Sequence, residues 1–444
     1  MNDELIRIDP LIHRFIDSMK KWINESIFLQ FIVPRSCFIV SHPSFAVGHE
    51  HKDMKAVAVF PEAKEIKIVE HEEPRLFAPT EVKLRVLEVG VCGTDKEICA
   101  FDYGAPPEGS PYLLLGHESL SEVVETGEGV ERLKRGDLVV ASVRRPCPHE
   151  TCVACRMGRQ DFCFTGDFTE RGIKGRHGFM TEFVVDDERY MNVVPAHLRE
   201  VGVLVEPLTI AEKALEQVWH MQKRLPWFSP PGEVDATTAD DAIAAAAAPP
   251  PASAGVREWL YQRAVVLGAG PVGLLGAMAL VVAGFDTYVY SREAATSDKA
   301  RLVESFGGKY ISAETHAVEQ LAGQVGGIDL VYEAVGASGL AFEALKHLDT
   351  NGVFVFTGVP GRKAPVEVDT DALMRNLVLR NQLAFGTVNA GRGAFEAAIR
   401  DLEIFHRRWP QVVNSLITAR VPIEGHRDLL LGKAGGIKNV VKLS

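Results

Sequence analysis

Cys147, Cys152, Cys155 and Cys163 stand within seventeen residues, in RRPCPHETCVACRMGRQDFC. Four thiolates at this density hold one tetrahedral zinc, or remain independent thiols or two disulfides; the Cys-x-x-Cys step favours the metal. The gaps of four, two and seven residues let each side chain turn inward from a loop, and a lobe with so little apolar core depends on its ion to fold. A closed four-sulfur site has no open position for a reactant, so its work is structural.

A second set has the composition of an open site. Cys92 in GVCGTDKEI, His117 and Glu118 in LLGHES, and Glu206 in LVEPLTIAEK are each expected at a strand edge or turn. A thiolate, an imidazole and a carboxylate can bind zinc and leave one position for a substrate oxygen. Taken singly, each is ordinarily structural: a core cysteine, a turn histidine, a capping glutamate. Their company in one chain gives them weight. LGAGPVG places Gly268, Gly270 and Gly273 directly after the apolar run AVVL and at the opening of a helical pattern. In that context the motif binds a dinucleotide pyrophosphate, or else is a close-packed turn. The next strand-like run, TYVY, ends in Ser291 and Arg292 where an NAD site offers an acid, which favours a 2'-phosphate and so NADP; Glu293 beside them is the alternative, a ribose ligand for NAD.

These groups need a scaffold, and the chain is long enough to supply one: 444 residues, 46% apolar, for two or three domains. Residues 1–53 read as an N-terminal extension of unknown role, with apolar residues at helical spacing over 12–23. From Met54 to about 225, short β-rich runs broken by Pro and Gly describe a first domain, closing in the helical EKALEQVWHM near 212–221. Residues 226–255 are Pro/Ala-rich and of low complexity, expected as an exposed loop. Over 256–388, strands such as IDLVYEAVG and GVFVFTGVP alternate with helices such as DKARLVESFG, the pattern of a doubly wound parallel sheet. The net charge of -11, without a basic patch, argues against nucleic acid or an anionic membrane as partner. No apolar run approaches a membrane span, the acidic start MNDELIRIDP is unlike a secretory signal, and the odd cysteine count of seven suits a reducing, cytoplasmic setting.

In order, CGTD, GHE, the four-cysteine lobe and LGAGPVG resemble the zinc-containing medium-chain dehydrogenase/reductase family, from about Met54 to the C-terminus. FTGDFTERGIKGRHGFMTEF, LVEPLTIAEKA and FGTVNAGRGAFEAA resemble its glucose 1-dehydrogenase branch, which oxidises C1 of an aldose to the lactone. The resemblance implies an α/β fold: a GroES-like β-rich catalytic domain with a structural-zinc lobe, on which 389–444 packs back, plus a Rossmann domain. It implies two zincs. Cys92, His117 and Glu206 hold the catalytic one, with Glu118 close enough to exchange, and the four lobe cysteines hold the other. Thr94 takes the substrate proton, Asp95 orients the His117 ring, and Glu170 and Asn389 contact the sugar. Val359, Thr387 and Val388 approach the nicotinamide. A homo-oligomer, dimer or tetramer, is also implied.

The chain departs from that pattern in places. Lys96 and Glu97 stand where alcohol-oxidising relatives carry a proton-relay histidine, so the proton leaves by another route. Ile210 is apolar where some sugar-oxidising relatives are acidic, which leaves the preferred aldose open. The alternatives are a polyol or 3-hydroxy amino acid dehydrogenase on the same scaffold, and, more remotely, a cofactor-binding protein without catalysis.

Overall fold

The computed structural model describes residues 53–226, 262–361, 365–432 and 435–443. The extension 1–52 with its expected helix, and nearly all of the 226–255 insert, lie outside the described residues.

The β-rich part opens with the antiparallel hairpin β1 (Asp53–Phe60) and β2 (Glu65–Glu72). β3 (Glu81–Val91) follows, then the short helix α1 (Gly93–Cys99), β4 (Leu113–Leu114), β5 (Glu118–Thr126) and β6 (Leu138–Ala141). Three short strands, β7 (Arg144–Arg145), β8 (Thr169–Arg171) and β9 (Gly175–Arg176), form a small sheet beside the cysteine lobe, before β10 (Phe183–Asp187) and β11 (Met191–Val194). In β3 burial alternates at first and is then continuous from Val86 to Val91, as in a strand covered on both faces. That strand is the hub, pairing with β5 and β10.

The second part is a six-stranded sheet: β12 (Arg263–Leu267), β13 (Asp286–Ser291), β14 (Lys309–Ser312), β15 (Leu330–Glu333), β16 (Val353–Phe356) and β17 (Leu383–Gly386). All pairings are parallel, in the order β14-β13-β12-β15-β16-β17. The order reverses at β12, which opens a crevice beyond the carboxyl ends of the strands, the place where such sheets bind ligands. The last two strands return to the first sheet. β18 (Ile417–Pro422) pairs with β19 (Lys438–Lys442), and β19 lies antiparallel to β3 with Asn439 opposite Val91.

One long helix joins the two sheets. α2 (Val205–Gln222) buries Val205, Leu208, Ala211, Leu215 and Val218 in a core shared with Leu274, Leu275 and Met278 of α3 (Pro271–Val282) and with Phe395, Ala398 and Leu402 of the later helix Arg392–Arg408. Each large side chain so buried contributes about 1.5–3 kcal/mol. Sequence spacing places this helix at 212–221 and Glu206 at a strand edge or turn; the helix in fact begins at Val205 and Glu206 stands in its first turn. Pro207 is tolerated there because the first-turn N–H groups have no intrahelical partner in any case. No helix among the described residues is long and apolar enough to cross a membrane.

Candidate active site and metal centres

Cys92 lies where β3 hands over to α1, and its N–H donates to Asp95 Oδ2 at 2.9 Å, so the helix start fixes both side chains. Asp95 is fully buried; its other oxygen lies 3.5 Å from His117 Nδ1. A proton on Nδ1 facing Asp95 leaves Nε2 as the free lone pair, and Nε2 stands 3.2 Å from Cys92 Sγ. A thiolate and an imidazole on one tetrahedral zinc stand about 3.5 Å apart, so the pair is close to metal-ready. The donor atoms of Cys92, Asp95 and His117 lie within 4.8 Å of one another, as do those of His117, Glu118 and Glu206. His117 belongs to both sets. Thr94, half-buried, is in the first turn of α1.

The electrostatics of this cluster suit a cation. Burial, reinforced by Glu118 and opposed by His117, pushes the Glu206 carboxyl up to about 7. Burial alone would lower the His117 ring, but the Cys92 thiolate and the Asp95 carboxylate outweigh it and hold it well above its ordinary value. One cation that the spacing of the sequence did not bring forward is already present. Lys438, on β19 and buried, donates to Glu118 Oε2 at 2.5 Å and to the Val91 carbonyl at 3.2 Å. Burial works against its charge, yet Glu118 first, then Cys92 and Glu206, keep its ammonium raised. Opposite Glu118 sits Gly90, where a Cβ would stand 2.1 Å from Glu118 Oε2.

Glu170 and Asn389, 219 positions apart, meet: Asn389 Nδ2 donates to Glu170 Oε1 at 3.0 Å. Arg144 Nε donates to the same oxygen at 3.0 Å, and Glu170 is 4% exposed. Asn389 takes a positive φ of 60°, and its side-chain oxygen accepts from the Ala390 N–H at 2.8 Å. The turn that follows Glu170 abuts the turn before His117, with Phe179 N–H donating to the Gly116 carbonyl at 2.9 Å and a Cβ on Gly172 falling 2.4 Å from that same oxygen.

In the cysteine lobe all four sulfurs lie within 4.8 Å of one another, and all six cysteines among the described residues are free thiols. Cys152 Sγ and Cys163 Sγ are 3.9 Å apart. Four sulfurs at about 2.3 Å from one zinc stand about 3.8 Å apart, whereas a disulfide needs about 2.05 Å. Burial pushes the Cys155 thiol up to about 12, while hydrogen bonds led by the Thr165 hydroxyl overcome burial and hold Cys163 at about 6. The expectation that every cysteine comes from a loop needs correcting: Cys155 is inside a helical turn, Val153–Arg156, capped by Cys152. Helical geometry brings the residues of a Cys-x-x-Cys step onto one side.

At the crevice, Gly268 has φ +106° and Gly270 would point a Cβ into open space, with nothing within 4 Å. A Cβ on Gly273 would fall 2.1 Å from the Gly268 carbonyl, so the turn, the cradle and the close packing of α3 each need a glycine. Ser291 ends β13, and its hydroxyl donates to Glu293 Oε2 at 2.5 Å; Lys299 Nζ holds the other oxygen at 2.5 Å. Against burial, these partners draw the Glu293 carboxyl down to about 2, leaving it engaged with its own neighbours. Arg292 is exposed, and its side chain makes no hydrogen bond or ion pair among the described residues. Val359 and Val388 are 69% and 56% exposed at the carboxyl ends of β16 and β17, and Val335, after β15, is 47% exposed beside them. Val335 was missed because one valine after a strand carries no signal. Gln217 Nε2 donates to Thr387 Oγ1 at 2.6 Å.

The chain is similar to known proteins over most of its length. Residues 78–196 match the alcohol dehydrogenase GroES-like domain, and residues 240–443 match the glucose dehydrogenase C-terminus. The chain is 37% identical over 391 residues to a glucose 1-dehydrogenase of Methanocella arvoryzae, covering 88% of this chain and 99% of that one. With the glucose 1-dehydrogenase of Thermoproteus tenax it is 38% identical over 392 residues, with the same coverage of 88% and 99%. Among solved structures, Haloferax mediterranei glucose dehydrogenase in complex with NADP, Zn and gluconolactone superposes with a TM-score of 0.73 at 30% identity, over 88% of this chain and 99% of that one.

Proposed function

The chain belongs to the glucose 1-dehydrogenase branch of the medium-chain dehydrogenase/reductase family, and from that membership we propose that it oxidises D-glucose, or a close epimer, at C1 to the aldonolactone, with the hydride passing to NADP in preference to NAD. The observation that carries the substrate reading is the pairing of Glu170 with Asn389 beside the His117 turn. A carboxylate and an amide drawn together from distant parts of the chain suit a polyhydroxy ring, which needs polar lining to be held in one orientation.

Cys92, His117 and Glu206, with Glu118 in exchange range, would hold the catalytic zinc; Cys147, Cys152, Cys155 and Cys163 would hold the structural one. When bound, the catalytic zinc lowers the proton affinity of a substrate oxygen and the nicotinamide accepts a hydride. The chain's own residues do the rest. Asp95 fixes the His117 ring so that Nε2 stays available. Lys438 holds Glu118 toward β19. Thr94 accepts the proton of the C1 hydroxyl while releasing its own hydroxyl proton toward solvent, a route that does not need a histidine at Lys96 or Glu97. Arg144 keeps Glu170 oriented. Gly268, Gly270 and Gly273 cradle the pyrophosphate, while Ser291 and Arg292 face the 2'-phosphate. Thr387 orients the nicotinamide, and Val359 and Val388, with Val335, keep water from its face. The sum balances: aldose and NADP+ give lactone, NADPH and a proton.

The edge strand β17 and the exposed Met374, Val378 and Leu379 of the helix before it support a homo-oligomer. The six cysteines among the described residues form no disulfide, which suits a reducing cytoplasm. The test is a panel of aldoses, polyols and hydroxy amino acids assayed by absorbance of the reduced nicotinamide with each cofactor. Glucose should turn over with the lower KM for NADP, and Arg292→Ala should raise that KM while sparing NAD. Glucose inactive with sorbitol or threonine active would overturn the substrate, and equal cofactor preference in the parent would overturn the role of Arg292.

A further inference from the structure

We infer that Lys213, held by Asp161, is a positioning residue that fastens segment 387–389 to the cysteine lobe and thereby sets affinity for sugar and cofactor; this rests on the reading of that segment given above. Lys213 lies on α2, seven residues beyond Glu206, and its side chain is 2% exposed. An ammonium so buried must find partners. Its Nζ is 3.1 Å from Asp161 Oδ2, 3.4 Å from the Asp161 carbonyl and 2.8 Å from the Val388 carbonyl, and it sits 4.2 Å over the Phe162 ring. Three elements meet at one nitrogen: the helix that carries Glu206, the end of the lobe two residues before Cys163, and the segment at the crevice.

The contacts around it close into a ring. Arg159 donates to both oxygens of Asp161 at 3.1 Å each, and Arg144 Nη1 donates to the Asp161 carbonyl at 3.3 Å. Arg144 also grips Glu170, and Glu170 accepts from Asn389, the residue after Val388. On the far side, Gly391 packs so closely that a Cβ there would stand 2.8 Å from Asp161 Oδ1. One turn along α2 from Lys213, Gln217 holds Thr387. The segment is therefore pinned by hydrogen bonds at Thr387, Val388 and Asn389, and the Val388 pin is the one that comes from a cation. A buried ion pair can often be replaced by apolar side chains without loss of stability. No apolar side chain can donate to the Val388 carbonyl, which separates positioning from mere support.

The experiment uses the full-length metal-loaded protein. NADPH affinity is read from nicotinamide fluorescence without sugar, and glucose KM and kcat from steady-state rates. Lys213→Met should raise both KM for glucose and Kd for NADPH by about ten-fold or more, the scale of one lost charge-assisted hydrogen bond, with kcat falling less. Combining Lys213→Met with Asp161→Asn removes a carboxylate that would then have Arg159 as its one cation, and should recover part of the melting temperature without recovering KM or Kd; this pair carries the test if the single variant fails to fold. Parental KM and Kd in Lys213→Met, or their restoration in the double variant, would overturn the inference. A parent that does not oxidise glucose would instead sink the substrate reading, while NADPH binding would still test the lysine.

Discussion

Glu118 and Lys438 form a contact whose cost of disruption can be foreseen from burial alone. Both side chains are at most 3% exposed, and their oxygen and nitrogen are 2.5 Å apart. Removing one member of such a pair strands the other charge in the interior, which costs about 3–5 kcal/mol. Lys438→Met should therefore lower the urea midpoint substantially, and adding Glu118→Gln should recover much of the loss; an unchanged midpoint in the single variant would mean that Glu118 finds another partner. The pair also marks how far residues were legible. Cys92, His117 and Glu206 stood out because thiol, imidazole and carboxylate occur beside a cysteine lobe and a dinucleotide motif. Lys438 did not, because its partner is 320 positions away and a lysine on a C-terminal strand is ordinarily solvated. Only the pairing of β19 with β3 brings it to the site.

At the scale of elements, the strands and helices of the nucleotide-binding sheet follow directly from their apolar runs and turn residues, AVVL becoming most of β12 and TYVY the middle of β13. The elements misread were those decided by tertiary context. α2 extends toward its N-terminus because core contacts reward Val205 and Leu208, and the lobe gains a helical turn because four sulfurs must converge. The small sheet β7-β8-β9 is invisible as periodicity, since its strands are two or three residues long. A buried charge cluster holds it: Asp186 of β10 accepts from Arg145 of β7 at 2.5 Å and from Arg171 of β8 at 2.9 Å. Burial alone would raise the Asp186 carboxyl, but Arg171 and then Arg145 outweigh it and set it far below its ordinary value. A depressed folded value means that the contribution to stability is fully present above the ordinary Asp range of about 4 and drains away as pH falls below it. Asp186→Asn should thus lower the melting temperature by a constant amount above about pH 5, and the gap to the parent should narrow toward pH 3. A gap that is the same at every pH would show that the carboxylate charge is not what holds β7 and β8 to β10.

For the molecule as a whole, the two proposed zinc centres have opposite dependences on the fold. The catalytic donors are set by β3, α1, β5 and α2, whose cores stand without an ion: Val89 and Leu120 are fully buried around Cys92 and His117, as is Leu208 near Glu206. The lobe has no such core. Val153, Met157 and Phe164 are more than half exposed, so its sulfurs must be tied by the metal itself. Its loss would not stay local, because Asp161 leads from Cys163 through Lys213 to Val388. The parent should therefore contain two zincs per chain by elemental analysis, one stripped readily by chelator with loss of turnover and one retained. Cys92→Ser should keep the melting temperature and NADPH binding but abolish turnover. Cys155→Ser should lose the retained zinc, melt earlier and bind both sugar and NADPH more weakly before kcat fails. One zinc in the parent, or turnover untouched by chelator, would remove the catalytic centre from the mechanism. A Cys155→Ser protein with parental affinities would cut the link between the lobe and segment 387–389, leaving the lobe as scaffold alone.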